Sequence, residues 1–88
     1  MREGDYKGAL EGFFKALEHE EEIDNQRGIA EAYNNIGVVY YHQRNVPKTL
    51  EYFEKSIVIE EKLNQPDILK KGYNNLGALY DYQKNYNK

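Results

Sequence analysis

Apolar and polar positions along the chain follow helical spacing in four successive segments. In the second segment the apolar positions lie three or four residues apart, and they are Ile29, Ala32, Tyr33, Ile36, Gly37 and Tyr40. Such spacing places one apolar stripe along an α-helix. No stretch alternates apolar and polar residues for long enough to predict a strand. The pattern predicts an all-α fold with helices at about 6–23, 26–43, 46–63 and 66–83.

The pattern repeats with a period of 40 residues. The segment beginning at Tyr33 reads YNNIGVVY, and the segment beginning at Tyr73 reads YNNLGALY. A repeat of this length predicts stacked helix pairs, because one pair cannot bury its apolar stripe alone. The residues expected to be largely buried are Leu10, Phe13, Tyr33, Ile36, Tyr40, Leu50, Phe53, Ile57, Tyr73 and Leu76.

Polar residues and proline mark the predicted helix ends. Asn45 precedes a helical segment with Pro47 in its first turn, which predicts an N-cap, since proline lacks the N–H that would otherwise be unsatisfied there. Asp5 holds the equivalent position before the first helix and is predicted to cap it. Residues 64–67, which read NQPD, break the chain before the fourth helix.

These motifs resemble the tetratricopeptide repeat. Residues 33–40 are similar to that family's W-x2-L-G-x2-Y, with Tyr in place of Trp, and residues 73–80 repeat the motif. Residues 9–16 resemble the A-x3-F-x2-A motif of the family's second helix. The resemblance implies antiparallel helix-turn-helix units that stack into an α-solenoid. With the two helices of a unit called A and B, the four predicted helices have the order B-A-B-A.

The period of 40 is longer than the family's usual length of about 34 residues. The added residues are expected to lengthen the B helices, within 18–23 and 58–63. This longer form is similar to repeats in kinesin light chains, Pins-type spindle adaptors and bacterial regulators such as response-regulator phosphatases and sensor kinases.

The positions of the repeat units along the chain predict a single domain over 1–88. It is made of a partial unit 1–25, a full unit 26–65 and a partial unit 66–88. Both end helices are expected to expose apolar surface that a complete unit would cover. One hypothesis is therefore a self-assembling or truncated repeat unit without a dedicated ligand groove, whose ends associate head-to-tail or by helix exchange. The residues predicted for that contact are Leu10, Phe13, Phe14, Leu17, Leu76, Leu79 and Tyr80.

The resemblance also implies a peptide-binding or protein-binding groove on the concave face of the A helices. By alignment the groove residues are Glu31, Asn34, Asn35, Val38, Tyr41, His42, Lys71, Asn74, Asn75, Ala78, Asp81 and Tyr82. Two interpretations apply to Asn35 and Asn75: they hydrogen-bond the backbone of an extended peptide, or they bridge neighbouring helices. Asn34 and Asn74 are more informative, because helix interiors have no intrinsic need of Asn. They suggest a polar groove.

Composition and charge argue against several other functions. The chain has 88 residues, which predicts one domain, and no cysteine, which excludes Cys-based zinc sites and thiol chemistry. Its net charge of −3 does not provide the basic surface that nucleic acids or anionic membranes require. No nucleophile, phosphate-loop or metalloprotease motif is present, and the N-terminus lacks an apolar signal segment. The sequence predicts a cytoplasmic, non-enzymatic protein-interaction module that needs no cofactor or metal.

Overall fold

The computed structural model describes residues 3–64 and 66–86, and this part of the chain forms four α-helices. They are α1 (Glu3–Glu22), α2 (Gln26–His42), α3 (Val46–Leu63) and α4 (Pro66–Tyr86). The predicted all-α fold is confirmed, and so is the extension of α3 as far as Leu63. The predicted cap at Asp5 is wrong, because α1 begins at Glu3 and Asp5 lies inside its first turn.

Each helix packs mainly against its neighbours in sequence: α1 on α2, α2 on α3 and α3 on α4. Short turns join them, so consecutive helices run antiparallel. The resulting body measures 42 × 31 × 17 Å, and its smallest dimension suits two layers of helices about 10 Å in diameter. This is the geometry of an α-solenoid, in which contacts form between adjacent units.

One turn geometry joins both α1 to α2 and α2 to α3. Arg44 has a left-handed φ of 61°, and the N–H of Asn45 then hydrogen-bonds a carbonyl in the last turn of α2 at 2.9 Å. The side chain of Asn45 accepts a hydrogen bond from the N–H of Lys48 at 3.3 Å. Asn45 therefore closes one helix and caps the next, as predicted. Asp24 and Asn25 repeat this arrangement before α2.

Two groups of apolar side chains form the interior. Between α1 and α2 the buried residues are Leu17, Ile29, Ala32 and Ile36, with Leu10, Phe13, Tyr33 and Tyr40 half-buried against them. The interior around α3 contains Phe53, Ile57 and Leu79. Phe53 packs against Gly37, where an added Cβ would lie 2.5 Å from the Phe53 ring. Gly37 is therefore required for the close approach of α2 and α3.

The burial prediction for Tyr73 needs correction. Ile36, Phe53 and Ile57 are buried as predicted, but Tyr73 is 50% exposed. Tyr33 holds the same repeat position in α2, and it packs against the ring of Tyr52 on α3. No described helix covers the corresponding side of α4.

The residues predicted for self-association do not all lie at the surface. Leu17 and Leu79 are buried within the chain, so they do not contribute to an exposed contact surface. Leu10, Phe13 and Leu76 are half-buried, and Phe14 and Tyr80 are exposed. None of the helices in the described part of the chain is both long enough and apolar enough to cross a membrane.

Candidate functional site

A pocket of about 210 Å3 lies between α2 and α4, with α3 beneath it. Its lining residues are Val38, Tyr41, His42, Phe53, Asn75 and Ala78. The buried ring of Phe53 belongs to the interior, and the residues from α2 and α4 form the walls. Val38 and Ala78 are one repeat period apart, so stacking two equivalent helices brings the two walls together.

Aromatic side chains form one edge of this pocket. The ring of Tyr41 packs edge-to-face on that of Tyr82, with centroids 5.6 Å apart, and it meets His42 in the same way at 5.9 Å. The contact between Tyr41 and Tyr82 joins the C-terminal halves of α2 and α4. A pair of amphipathic rings supplies apolar area together with polar groups at the rim.

A buried polar network lies beside the pocket. Asn34 Nδ2 donates to Glu60 Oε1 at 3.2 Å, and Asn75 Nδ2 donates to Asn34 Oδ1 at 3.5 Å. Ser56 Oγ lies 2.8 Å from Glu60 Oε1 and 2.9 Å from the carbonyl oxygen of Ala30. These bonds connect α2, α3 and α4, and they reach the pocket wall through Asn75.

Glu60 is an unusual member of this network because it is fully buried. Burial raises the pKa of its carboxyl group, since the charged form loses its hydration. The hydrogen bonds from Ser56 and Asn34 and the charge of Lys71 act in the opposite direction without cancelling the shift in pKa. Glu60 Oε2 is buried with no hydrogen-bond partner.

The sequence of α2 and α3 matches a known repeat family. Residues 30–63 match the tetratricopeptide repeat, over most of α2 and all of α3. The chain contains a tetratricopeptide repeat. The matched residues lie within the predicted full unit 26–65 and contain most of its A helix and all of its B helix.

A solved structure supports the tetratricopeptide-repeat assignment. The crystal structure of the apo form of RapI is similar to this chain, with a TM-score of 0.81 and 31% sequence identity. The similarity covers 94% of this chain, and the chain spans 30% of the length of RapI. No curated protein matches the chain. The repeat family and the fold support a general role as a protein-interaction module.

The structure brings together about half of the predicted groove residues of this repeat protein. Those lining the pocket are Val38, Tyr41, His42, Asn75 and Ala78, and Tyr82 packs beside them. The ones that are exposed outside the pocket lining are Glu31, Asn35, Lys71, Asn74 and Asp81. The placement of Asn34 in an exposed groove is wrong. Its side chain is only 3% exposed, because it turns inward to donate to Glu60.

Sequence reasoning did not identify Glu60 and Ser56 as partners of Asn34. The sequence nevertheless indicates that Ser56 and Glu60 are buried. Together with Phe53 and Ile57, they follow the spacing of one buried helix face. A carboxylate on such a face requires a buried donor, and Asn34 provides it. Among residues 3–64 and 66–86, no group of three or more His, Asp or Glu side chains could hold a metal ion.

Proposed function

We propose that the chain is an adaptor module that binds a peptide or protein segment along the groove between α2 and α4. The observation that carries this proposal is the pocket formed by Val38, Tyr41 and Ala78 over Phe53. At about 210 Å3 it is smaller than the roughly 300–1,000 Å3 of typical small-molecule sites. A pocket of this size suits a single apolar side chain that belongs to a larger partner.

Polar groups at the wall provide the means to hold the partner's backbone. The carboxamide of Asn75 has two donor hydrogens, and its bond to Asn34 uses one of them. An extended peptide backbone offers alternating donors and acceptors, which a wall carboxamide can match. Tyr41 and Tyr82 add broad apolar surface that loses little conformational entropy on binding, because their rings already pack on each other.

The composition supports a protein partner. Tetratricopeptide repeats generally bind proteins or peptides. The net charge of −3 does not favour polyanionic partners such as nucleic acids.

The test compares two exposed valines, one in the pocket wall and one outside the pocket. Val38 lies in the pocket wall and Val58 lies on α3 outside the pocket, with exposed fractions of 36% and 54%. A displayed peptide library is first selected on the wild-type chain. The affinity of the selected peptides is then measured for Val38→Asp and Val58→Asp, together with their thermal stability.

We expect Val38→Asp to weaken binding by roughly tenfold or more, because a carboxylate in an apolar pocket loses its hydration without gaining a partner. Val58→Asp should bind as the wild-type chain does. Both variants should remain folded, since both side chains are exposed. Equal binding by the two variants, or selection of no peptide, would contradict the proposal.

A further inference from the structure

The internal repeat shows how one helix of this chain recognises another. In the α2–α3 pair, the ring of Phe53 sits against Gly37, and Asn34 donates to the carboxylate of Glu60. Tyr52 of α3 also packs on two tyrosines of α2. A helix that carries the α2 residues is therefore complementary to a helix that carries the α3 residues.

The residues of α4 that correspond to this α2 surface are exposed. We call Tyr73, Asn74, Gly77 and Tyr80 the outer face of α4; they lie 40 residues after Tyr33, Asn34, Gly37 and Tyr40. All four are exposed, whereas Asn34 and Gly37 are buried. A Cβ added at Gly77 would meet nothing within 4 Å. The space that Phe53 occupies at Gly37 is thus empty at Gly77.

The residues of α1 that correspond to the α3 surface are also less buried than their counterparts. We call Ala9, Gly12, Phe13, Ala16 and Glu20 the open face of α1; they lie 40 residues before Thr49, Tyr52, Phe53, Ser56 and Glu60. Ala16 is exposed and Phe13 and Glu20 are half-buried, whereas their counterparts in α3 are buried. The carboxylate of Glu20 also resembles that of Glu60, since each has an Oε2 atom buried without a hydrogen-bond partner.

We infer that the outer face of α4 binds the open face of α1 from a second copy of the chain. The α2–α3 pair gives the register: Phe13 of the second copy lies at Gly77, and its Glu20 accepts from Asn74. Gly12 holds the position in α1 that Tyr52 holds in α3. Because glycine has no side chain, this position leaves room for the exposed rings of Tyr73 and Tyr80. This contact is independent of the groove between α2 and α4.

Charge favours the same register. In an antiparallel pair, the first turns of α4 lie beside the second half of α1. Lys70 of α4 is exposed and occupies the position of Ala30 in α2. The second half of α1 is acidic and contains Glu18, Glu20, Glu21 and Glu22. The contact joins two different surfaces, so it propagates head-to-tail.

The test measures mass by sedimentation equilibrium on the 88-residue chain, from micromolar to near-millimolar concentration. We expect the average mass of the wild-type chain to rise above that of a monomer. Gly77→Ala should weaken association by roughly tenfold or more, because its methyl group occupies the place of the Phe13 ring. Gly8→Ala is the matched control. It is also a helical glycine with nothing within 4 Å of an added Cβ, but it lies outside the open face of α1.

A mixing experiment tests the head-to-tail arrangement. Ala16→Glu places a charge on the open face of α1 and leaves α4 intact, while Gly77→Ala alters α4 and leaves α1 intact. Each variant alone should associate much more weakly than the wild-type chain does. A mixture of the two should form a one-to-one heterodimer, because one intact face remains on each chain. Such complementation is not expected of a contact that joins two copies of the same surface.

Three outcomes would overturn the inference. They are a wild-type chain that stays monomeric throughout the series, a Gly77→Ala chain that associates as the wild type does, and a mixture that forms no heterodimer. A monomeric chain that instead binds a synthetic peptide of residues 46–63 would identify the outer face of α4 as a site for another helix. That result would reject the second copy as its occupant.

Discussion

At the scale of single residues, the buried carboxyl group of Glu60 is the feature with the clearest energetic consequence. Ser56 has one hydroxyl proton and lies within hydrogen-bond distance of both Glu60 and the carbonyl of Ala30. When Glu60 is ionised, Ser56 can donate to the carboxylate. When Glu60 is protonated, its carboxyl group can donate to Ser56, and Ser56 can donate to Ala30. The network therefore accommodates the neutral form without losing a hydrogen bond.

The first prediction concerns pH. The pKa of Glu60 is raised above its ordinary value of 4.5 in the folded chain. Its contribution to stability is therefore fully present below that value and is lost as pH rises through the raised pKa. Glu60→Gln removes this titration. We expect the free energy of unfolding of Glu60→Gln, relative to the wild type, to increase from acidic to neutral pH in urea titrations.

Glu54→Gln is the control for this experiment, because it removes one exposed carboxylate from the same helix and makes the same change in net charge. A constant difference between Glu60→Gln and the wild type across the pH range would contradict the assigned shift in pKa.

The second prediction uses two asparagines at the same repeat position. Asn34 is buried and donates to Glu60, whereas Asn74 is exposed. Asn34→Ala leaves the buried carboxylate with one donor fewer, and we expect it to lower the free energy of unfolding by about 1–3 kcal/mol. In dilute solution Asn74→Ala should change it by about 0.5 kcal/mol or less. Equal effects in chemical denaturation would mean that the bond from Asn34 to Glu60 contributes little.

At the scale of helices, aromatic side chains on α3 organise the packing of α1 and α2. The ring of Tyr52 stacks on Tyr40 at 5.8 Å and meets Phe14 edge-to-face at 6.1 Å. Burial raises the pKa of the Tyr52 hydroxyl above its ordinary value of 10.0. Lys55 Nζ lies 5.0 Å from the centroid of the same ring, and so adds a cation–π contact. One residue of α3 thus contacts both preceding helices.

The third prediction compares two phenylalanines on the B helices. Phe53 is 2% exposed and Phe14 is 37% exposed. Phe53→Ala should lower the free energy of unfolding by about 3–5 kcal/mol, because it leaves a cavity between α2 and α3. That loss is a large fraction of the roughly 5–15 kcal/mol typical of a whole domain. Phe14→Ala should cost about 1 kcal/mol or less. A similar loss for both variants in urea unfolding would contradict the packing of Phe53 against Gly37.

At the scale of the whole molecule, the repeat period determines how much of the structure could be predicted. The four helices and the cap at Asn45 follow from local spacing and turn chemistry, which act within a few residues. Local chemistry does not determine the environment of a side chain. Tyr33 and Tyr73 are each followed by two asparagines, yet only Tyr33 packs against Tyr52.

The same limit applies to the candidate site. Alignment with the tetratricopeptide repeat identified the helix turns that line the pocket, since the positions of Val38 and Ala78 follow from the repeat period. It did not determine which of two adjacent asparagines turns inward. Asn34 is buried because α3 places Glu60 opposite it, and that juxtaposition depends on a pairing 26 residues away along the chain.

The last prediction concerns how stability is distributed along the solenoid. Contacts lie mainly between sequential helices, so local unfolding of one helix need not disrupt a distant one. The α2–α3 pair contains most of the buried network and the Phe53 contact, whereas α4 has exposed residues on its outer face. We expect native-state hydrogen exchange to show the strongest protection in α2 and α3 and weaker protection in α4. Leu79→Ala should speed exchange in α4, since Leu79 is fully buried, and should leave α1 nearly unchanged because α1 packs mainly on α2. Equal acceleration in all four helices would show instead that the chain unfolds as one cooperative unit.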